Sequence, residues 1–166
     1  MAVERLGEDE AIPLFCSLLA GEVAMPELEV EPWRGLLRDI SGIDTGWVQS
    51  SDRHEYWPRA WAGRALCYIG DPTAAPALIA ATGDEHWRVR MNAVRALGIV
   101  GGDGAAEAVM AASHDTHPRV RSAAATSCGS IGDDRAFDVL ATLLDDPDSR
   151  VVARADASLD RLSRSE

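Results

Sequence analysis

The sequence predicts an all-α fold, a right-handed superhelix of about five two-helix repeats whose first full repeat is degenerate. Three observations predict it: a period of 31 residues through the second two-thirds of the chain, apolar positions spaced by four, four and three within each period, and a glycine after each such stretch. Self-similarity at a short fixed period is typical of solenoids, in which each unit buries its apolar face against its neighbours.

The repeat is visible when three segments are aligned without gaps. They begin at Trp57, Arg88 and Arg119, and a shorter fourth copy begins at Arg150. Within each copy the apolar or small positions have the spacing of one helix face. These columns are Pro58, Val89, Val120 and Val151; Ala62, Ala93, Ala124 and Ala155; Leu66, Leu97, Cys128 and Leu159; and Ile69, Val100 and Ile131. Each copy is therefore predicted to begin with a helix that buries this face.

A second helix is predicted after a tight turn. Glycine accepts the left-handed backbone that a helix C-cap needs, and aspartate is a good N-cap for the helix that follows. The glycines are Gly70, Gly101 and Gly132, and the predicted N-caps are Asp71, Asp103 and Asp133. The unit is thus helix, turn, helix.

Charged residues recur with the same period. Asp84, Asp115 and Asp146 follow the second helices, and Arg90 and Arg121 lie six residues after the first two. Guanidinium and carboxylate groups pair in a planar, bidentate geometry. We predict a ladder in which each carboxylate binds the guanidinium of its own or a neighbouring repeat.

The stretch from Asp84 to Val109 combines these features: an aspartate, an arginine six residues on, an Ala-Leu-Gly run in the first helix and a Gly-Asp turn. It resembles the HEAT-like repeat named after phycobilin lyase subunits, and the resemblance covers residues 54 to 162. The resemblance implies a helical solenoid. It leaves the function open, because such folds host scaffolds, lyases, hydroxylases and DNA-repair enzymes.

The repeats are predicted to form one domain over residues 1–166. Gly7, Ala11 and Phe15 match Gly70, Ala74 and Leu78 at an offset of 63 residues, so the array is expected to extend towards the N-terminus. The predicted units are 1–20, a truncated first repeat; 21–53, a degenerate repeat with an acidic loop; 54–85, 86–116 and 117–148, regular repeats; and 149–166, a half repeat.

Composition argues against a nucleic-acid partner. The formal net charge is -11, and the sixteen basic residues are all arginines spread along the chain. Binding to a phosphate backbone depends on clustered basic residues. We therefore expect no direct contact with DNA or RNA.

The cysteines and the apolar stretches indicate the cellular compartment of the protein. Cys16, Cys67 and Cys128 are an odd number without the spacing of a zinc site or a disulfide framework. No stretch reaches the roughly 20 apolar residues of a membrane helix, and the N-terminus lacks the basic flank of a signal peptide. We expect a cytoplasmic protein without a membrane partner.

Tryptophan marks the first candidate surface. Trp57 and Trp61 occupy columns that hold polar or charged residues in later repeats, and with Arg64 and Tyr68 they form a stripe along one predicted helix. Trp87 lies near the start of the next. One interpretation is an exposed aromatic patch that binds a protein partner. The other is a local core covered by residues 21–53, which contain two further tryptophans.

The second candidate surface is the concave face, which we assign from the sequence to the second helices. Its exposed positions include Glu107, His114, Arg135 and Asp138. This surface is mildly acidic and could accommodate a helix or an extended peptide.

These surfaces favour a non-catalytic scaffold or adaptor that binds another protein or a peptide. The first alternative, implied by the resemblance, is a bilin lyase-like protein or another small-ligand enzyme or chaperone. The second is a HEAT-like DNA glycosylase, which the net charge of -11 disfavours. We expect no catalytic residue and no cofactor. We also expect no metal site, because His86 and His117 share one column and would lie too far apart to bind one ion.

Overall fold

The computed structural model describes residues 7–23, 27, 33–41 and 55–164, and its regular structure within those ranges is entirely helical. Short 3₁₀ turns at Pro72–Ala74 and Ala112–His114 adjoin the helices. The α-helices are α1, Glu8–Ala20; α2, Trp33–Ser41; α3, Tyr56–Ile69; α4, Ala75–Ala81; α5, Trp87–Val100; α6, Ala105–Ala111; α7, Pro118–Ile131; α8, Ala136–Leu143; and α9, Ser149–Ser163. The predicted all-α solenoid is confirmed.

The helices form two layers. The first helices of successive repeats, α3, α5, α7 and α9, pack directly side by side, whereas the second helices α4 and α6 touch each other much less. Where α5 meets α7, a Cβ added to Gly98 would lie 2.5 Å from Ser127 Oγ, and where α7 meets α9, one added to Gly129 would lie 2.7 Å from Ser158 Cβ. We call the layer of the first helices the inner layer and that of the second helices the outer layer.

The assignment of the concave face to the second helices stays a prediction. The spacing within each helix correctly indicated a buried face and an open face. It contained no information on how closely neighbouring first helices approach each other, which the glycine and serine contacts show.

The core is thin and built from small side chains. In α5, Val89, Ala93 and Leu97 are fully buried, as the repeat columns require. In α1, Ala11 and Phe15 are also fully buried. This helix packs on α3 and α4 and so continues the two-layer packing towards the N-terminus.

The turns follow the predicted chemistry except at Gly101 and Asp103. Gly101 has φ 65° and ψ -141°, which is not the left-handed helical backbone predicted for it. Gly70 and Gly132 have left-handed backbone at the ends of α3 and α7, and Asp71 accepts the Thr73 backbone N–H at 2.8 Å. Asp103 does not cap α6, whose N-cap is Gly104. Asp103 stands one position later in the repeat than Asp71, which displaces its carboxylate from the turn.

In α3, α5 and α7, an arginine near the start of the helix binds the aspartate that follows the second helix of the same unit. The Nε–Oδ2 distances are 2.8 Å for Arg59–Asp84, 2.7 Å for Arg90–Asp115 and 2.7 Å for Arg121–Asp146. Arg90 and Arg121 also donate through Nη1 to the backbone carbonyl of the aspartate six residues earlier, at 2.9 Å each. Each of these two arginines thus ties its own unit to the preceding one.

Candidate functional site

An open groove of about 460 Å³ runs along the inner layer between α3 and α5 and reaches the first turn of α7. Its walls combine aromatic, apolar and basic side chains. The lining residues are Trp57, Ala60, Trp61, Arg64, Cys67, Tyr68, Trp87, Arg88, Met91, Asn92, Arg95 and Arg119. The predicted stripe Trp57, Trp61, Arg64 and Tyr68 therefore forms one wall, and Trp87 belongs to the same site.

The tryptophans of α3 form the apolar part of this wall. The rings of Trp57 and Trp61 are stacked, with centroids 5.5 Å apart and planes inclined by 26°. Trp61 is only 8% exposed, whereas Trp57 is half-buried. On the facing helix, the side-chain amide of Asn92 donates to the Ala60 carbonyl at 2.7 Å and fixes that side chain at the floor.

The two interpretations of the tryptophan pair are thus resolved in part. Trp61 belongs to the core, so the idea that both rings form an exposed patch is wrong for this residue. Much of the segment 21–53, including Trp47, lies outside the described residues. Tyr68, at 75% exposure, is the strongly exposed aromatic side chain of the stripe.

Arg88 lies among three aromatic rings at one end of the groove. Its guanidinium carbon is 4.4 Å from the Trp87 ring centroid, 5.3 Å from that of Trp57 and 5.6 Å from that of Tyr56. Arg119, one repeat further on, lies 5.3 Å from the Trp87 ring. Cation–π contacts of this kind hold a guanidinium in place while its charge stays uncompensated.

A second pair of arginines lies at the other end. The Arg64 guanidinium carbon is 5.7 Å from the Tyr68 ring centroid, and Arg95 occupies the equivalent position on α5. Burial raises the pKa of the Cys67 thiol, and the positive charges of Arg95 and Arg64 partly offset this effect. Both guanidinium groups therefore lie near Cys67.

The charge of the groove is opposite to that of the protein. Four arginines line it and none of the lining residues is acidic, although the chain has a net charge of -11. The ladder arginines Arg59, Arg90 and Arg121 each bind an aspartate. Across residues 7–23, 27, 33–41 and 55–164, by contrast, the groove arginines form no ion pair with a carboxylate. Their charge is available to an anionic ligand.

Histidines at the margin of the groove have a structural role. His86 and His117 cap α5 and α7 by accepting the backbone N–H of Arg88 and Arg119 through Nδ1, at 3.2 Å each. Their rings stack on aromatic rings of the preceding repeat, with centroid distances of 3.4 Å for His86 and 4.1 Å for His117. Within the described part of the chain, no group of three or more potential ligands could hold a metal ion.

The other predicted surface lies in the outer layer, away from the groove. Glu107 and Arg135 bind each other at 2.9 Å, and Arg135 also binds Asp133. His114 and Asp138 border a separate pocket of about 190 Å³. The structure therefore divides the candidate residues between two surfaces on different layers.

Reasoning from single helices missed seven of the twelve residues that line the groove. The unpredicted lining residues are Ala60, Cys67, Arg88, Met91, Asn92, Arg95 and Arg119. A signal was present, because Arg95 lies one period after Arg64, and Arg88 and Arg119 continue the column of Trp57. Residues one period apart on helices of the inner layer are lateral neighbours.

Comparison with known proteins agrees with this architecture. The family model described as HEAT repeats matches residues 47–117 and 103–160. A phycobilisome maturation protein of Synechococcus elongatus is 39% identical over 84 residues, which are 51% of this chain and 40% of that protein. The chain thus spans about two-fifths of the length of this relative.

A similar solved structure is that of the complex of CpcE and CpcF of phycocyanin lyase from Nostoc sp. PCC7120. The match has a TM-score of 0.62 and 22% sequence identity, and it covers 90% of this chain and 98% of that one. At this level of identity the match shows the fold.

The prediction of a non-catalytic scaffold or adaptor is contradicted by these relatives, which are a phycobilisome maturation protein and a phycocyanin lyase complex. They favour the bilin lyase-like alternative. No helix in the described ranges is long and apolar enough to cross a membrane. The chain belongs to the HEAT-repeat family.

Proposed function

We propose that this protein binds a bilin in the inner groove and takes part in its attachment to a protein acceptor, as a lyase or maturation factor of the phycobilin lyase type. The observation that carries the proposal is the convergence, in one groove of an acidic protein, of three tryptophans and four arginines that have no carboxylate partner among the described residues.

The chemistry of the groove suits such a ligand. A bilin is a linear tetrapyrrole, a long conjugated ring system with two propionate side chains. The half-buried Trp57 and Trp87 and the exposed Tyr68 offer aromatic surface for its apolar body, and the guanidinium groups offer donors for its carboxylates. A volume of about 460 Å³ lies within the usual range for small-ligand pockets.

The relatives support the same proposal. One is named for phycobilisome maturation, and the solved neighbour belongs to a phycocyanin lyase complex of two proteins. We extend the proposal to a protein partner, which would be a second subunit or the acceptor protein itself. The exposed Tyr68 and Ile99, at 75% and 61% exposure, lie in equivalent positions of α3 and α5 and offer apolar contacts for it.

Titration with a linear tetrapyrrole tests the binding step. We expect biliverdin to bind saturably at micromolar concentrations, with a change in its visible absorption and quenching of tryptophan fluorescence. Trp87→Ala should weaken binding about tenfold or more, because it removes apolar surface from the groove and the ring that holds Arg88 and Arg119. Leu144→Ala, at an exposed site outside the groove, is the matched control.

Transfer is tested with a protein acceptor. Incubation of the bilin-loaded protein with apo-phycocyanin and a candidate partner subunit should yield a coloured acceptor that survives denaturing electrophoresis. The yield should fall with Trp87→Ala and remain with Leu144→Ala. Absence of saturable tetrapyrrole binding would overturn the proposal.

A further inference from the structure

The four arginines of the groove form two pairs at opposite ends. Arg64 and Arg95 lie beside Tyr68 and Cys67, whereas Arg88 and Arg119 lie against the Trp87 ring. Arg88 and Arg95 are seven residues apart on α5, which corresponds to about 10 Å along the helix axis. Trp57 and Trp87 lie at the end of Arg88 and Arg119, and Tyr68 lies at the end of Arg64 and Arg95.

Each pair is built by the repeat itself. The two members are 31 residues apart in the sequence and therefore occupy the same position on adjacent first helices. Neighbouring helix axes are about 8–10 Å apart. Long arginine side chains on two such helices can direct both guanidinium forks onto one carboxylate between them, a geometry that favours bidentate recognition.

The positive charges at each end of the groove favour an anionic ligand. In the described part of the chain, neither pair has a carboxylate partner; Arg88 is half-buried and the other three arginines are exposed. A ligand with one anionic group would compensate one end and leave the other end unpaired. A ligand with two carboxylates connected by a planar body compensates both ends and spans the groove between them.

We infer that the groove is specific for the dicarboxylate form of a conjugated ligand, with one carboxylate bound by Arg64 and Arg95 and the other by Arg88 and Arg119. This inference rests on the proposed function. It adds that the two propionates of the bilin, in addition to its rings, determine which ligand the groove binds.

A comparison of biliverdin with its dimethyl ester tests the inference on the unaltered protein. The two probes share the conjugated body and differ in the carboxylates. We expect the free acid to bind about 100-fold more tightly, with each carboxylate contributing about tenfold. Equal affinities would overturn the inference and leave the proposed function intact, whereas absence of binding by both probes would overturn the two together.

Paired substitutions test which arginines bind each carboxylate. Arg64→Gln with Arg95→Gln, and separately Arg88→Gln with Arg119→Gln, should each weaken binding of the free acid about tenfold and leave that of the ester nearly unchanged. Arg154→Gln is the matched control, because Arg154 is exposed on α9 and lies outside the groove. If the two double variants weakened both probes equally, the carboxylate assignment would be wrong.

Thiol labelling locates the ligand without any substitution. Cys67 lines the groove beside Arg64 and Arg95, whereas Cys16 lies on α1, and both are partly exposed. Saturation with biliverdin should slow alkylation of Cys67 several-fold and leave that of Cys16 unchanged, as read by mass spectrometry of the peptides. Unchanged labelling of Cys67 at saturation would exclude binding at this end.

Discussion

The guanidinium of Arg90 binds both carboxylate oxygens of Asp115, through Nε at 2.7 Å and Nη2 at 2.8 Å. Its Nη1 group also donates to the Asp84 carbonyl at 2.9 Å, so one side chain links the ends of α4 and α6 to the start of α5. The side chains of Arg90 and Asp115 are only 14% and 11% exposed, respectively. The ladder is therefore shielded from water.

Loss of one partner of this pair should destabilise the solenoid. We expect Asp115→Asn to reduce the free energy of unfolding by about 2–3 kcal/mol, since it leaves a partly buried guanidinium without its counter-charge. Urea denaturation measures the change. Glu107→Gln is the control, because Glu107 pairs with Arg135 on an open surface and its loss should leave the midpoint nearly unchanged. Equal effects of the two substitutions would refute a structural role for the ladder.

The close approach of the first helices gives a second prediction. A Cβ on Gly98 would lie 2.5 Å from Ser127 Oγ and 3.0 Å from Ser127 Cα, so the neighbouring backbone would have to shift. Gly98→Ala should destabilise the protein by about 1–2 kcal/mol, although alanine favours helix more than glycine does. Thermal unfolding should show partial recovery when Ser127→Gly is added. A stabilised Gly98→Ala variant would contradict the observed packing.

Within one repeat, much of the structure could be predicted from the sequence. The buried columns of α5 and the aromatic stripe of α3 follow from helical spacing alone, because residues three and four apart share a face. The position of Asp103 showed the limit of this reasoning, since a shift of one residue removed it from the cap that the pattern assigned to it.

The relation between repeats could not be predicted in the same way. The spacing of neighbouring first helices is set by contacts such as Gly98 with Ser127, which form between helices. For the same reason Arg64 was predicted while Arg95 was missed. The two side chains line one groove only because adjacent first helices lie side by side.

Two aromatic residues of the groove should respond differently to truncation. Trp61 is 8% exposed and Tyr68 is 75% exposed. Trp61→Ala should lower the free energy of unfolding by about 3 kcal/mol, because it removes a large buried side chain. Tyr68→Ala should change stability by less than about 0.5 kcal/mol and still weaken binding of a bilin or of a protein partner.

Chemical denaturation of both variants, together with a biliverdin titration of Tyr68→Ala, checks this pair of predictions. A Trp61→Ala variant of unaltered stability would show that the ring is not part of the core. A Tyr68→Ala variant with unaltered affinity for both biliverdin and the partner would show that Tyr68 is not part of the binding site.

The histidine caps predict that the free energy of unfolding depends on pH. The Nδ1 atom of His117 accepts the Arg119 backbone N–H, which requires an unprotonated ring. Desolvation lowers the pKa of His117 below its usual value, and the charges of Arg119, Arg90 and Arg121 act in the same direction against that of Asp115. The pKa of His86 is lowered as well, again mainly by desolvation. Because the folded-state pKa lies below the unfolded value, the stabilisation is present above pH 6.5 and is lost as pH falls through the folded-state pKa.

The free energy of unfolding should therefore decrease between pH 7.5 and 5, by about 0.5–1 kcal/mol for each cap, the lower part of the usual range for N-caps. The double variant His86→Asn with His117→Asn supplies caps that do not titrate and should flatten this dependence. The chain contains a natural precedent, because Asp148 caps α9 in the same way and the hydrogen bond from Arg150 holds its pKa low. Urea unfolding at both pH values measures the slope. An unchanged slope in the double variant would assign the pH dependence to other groups.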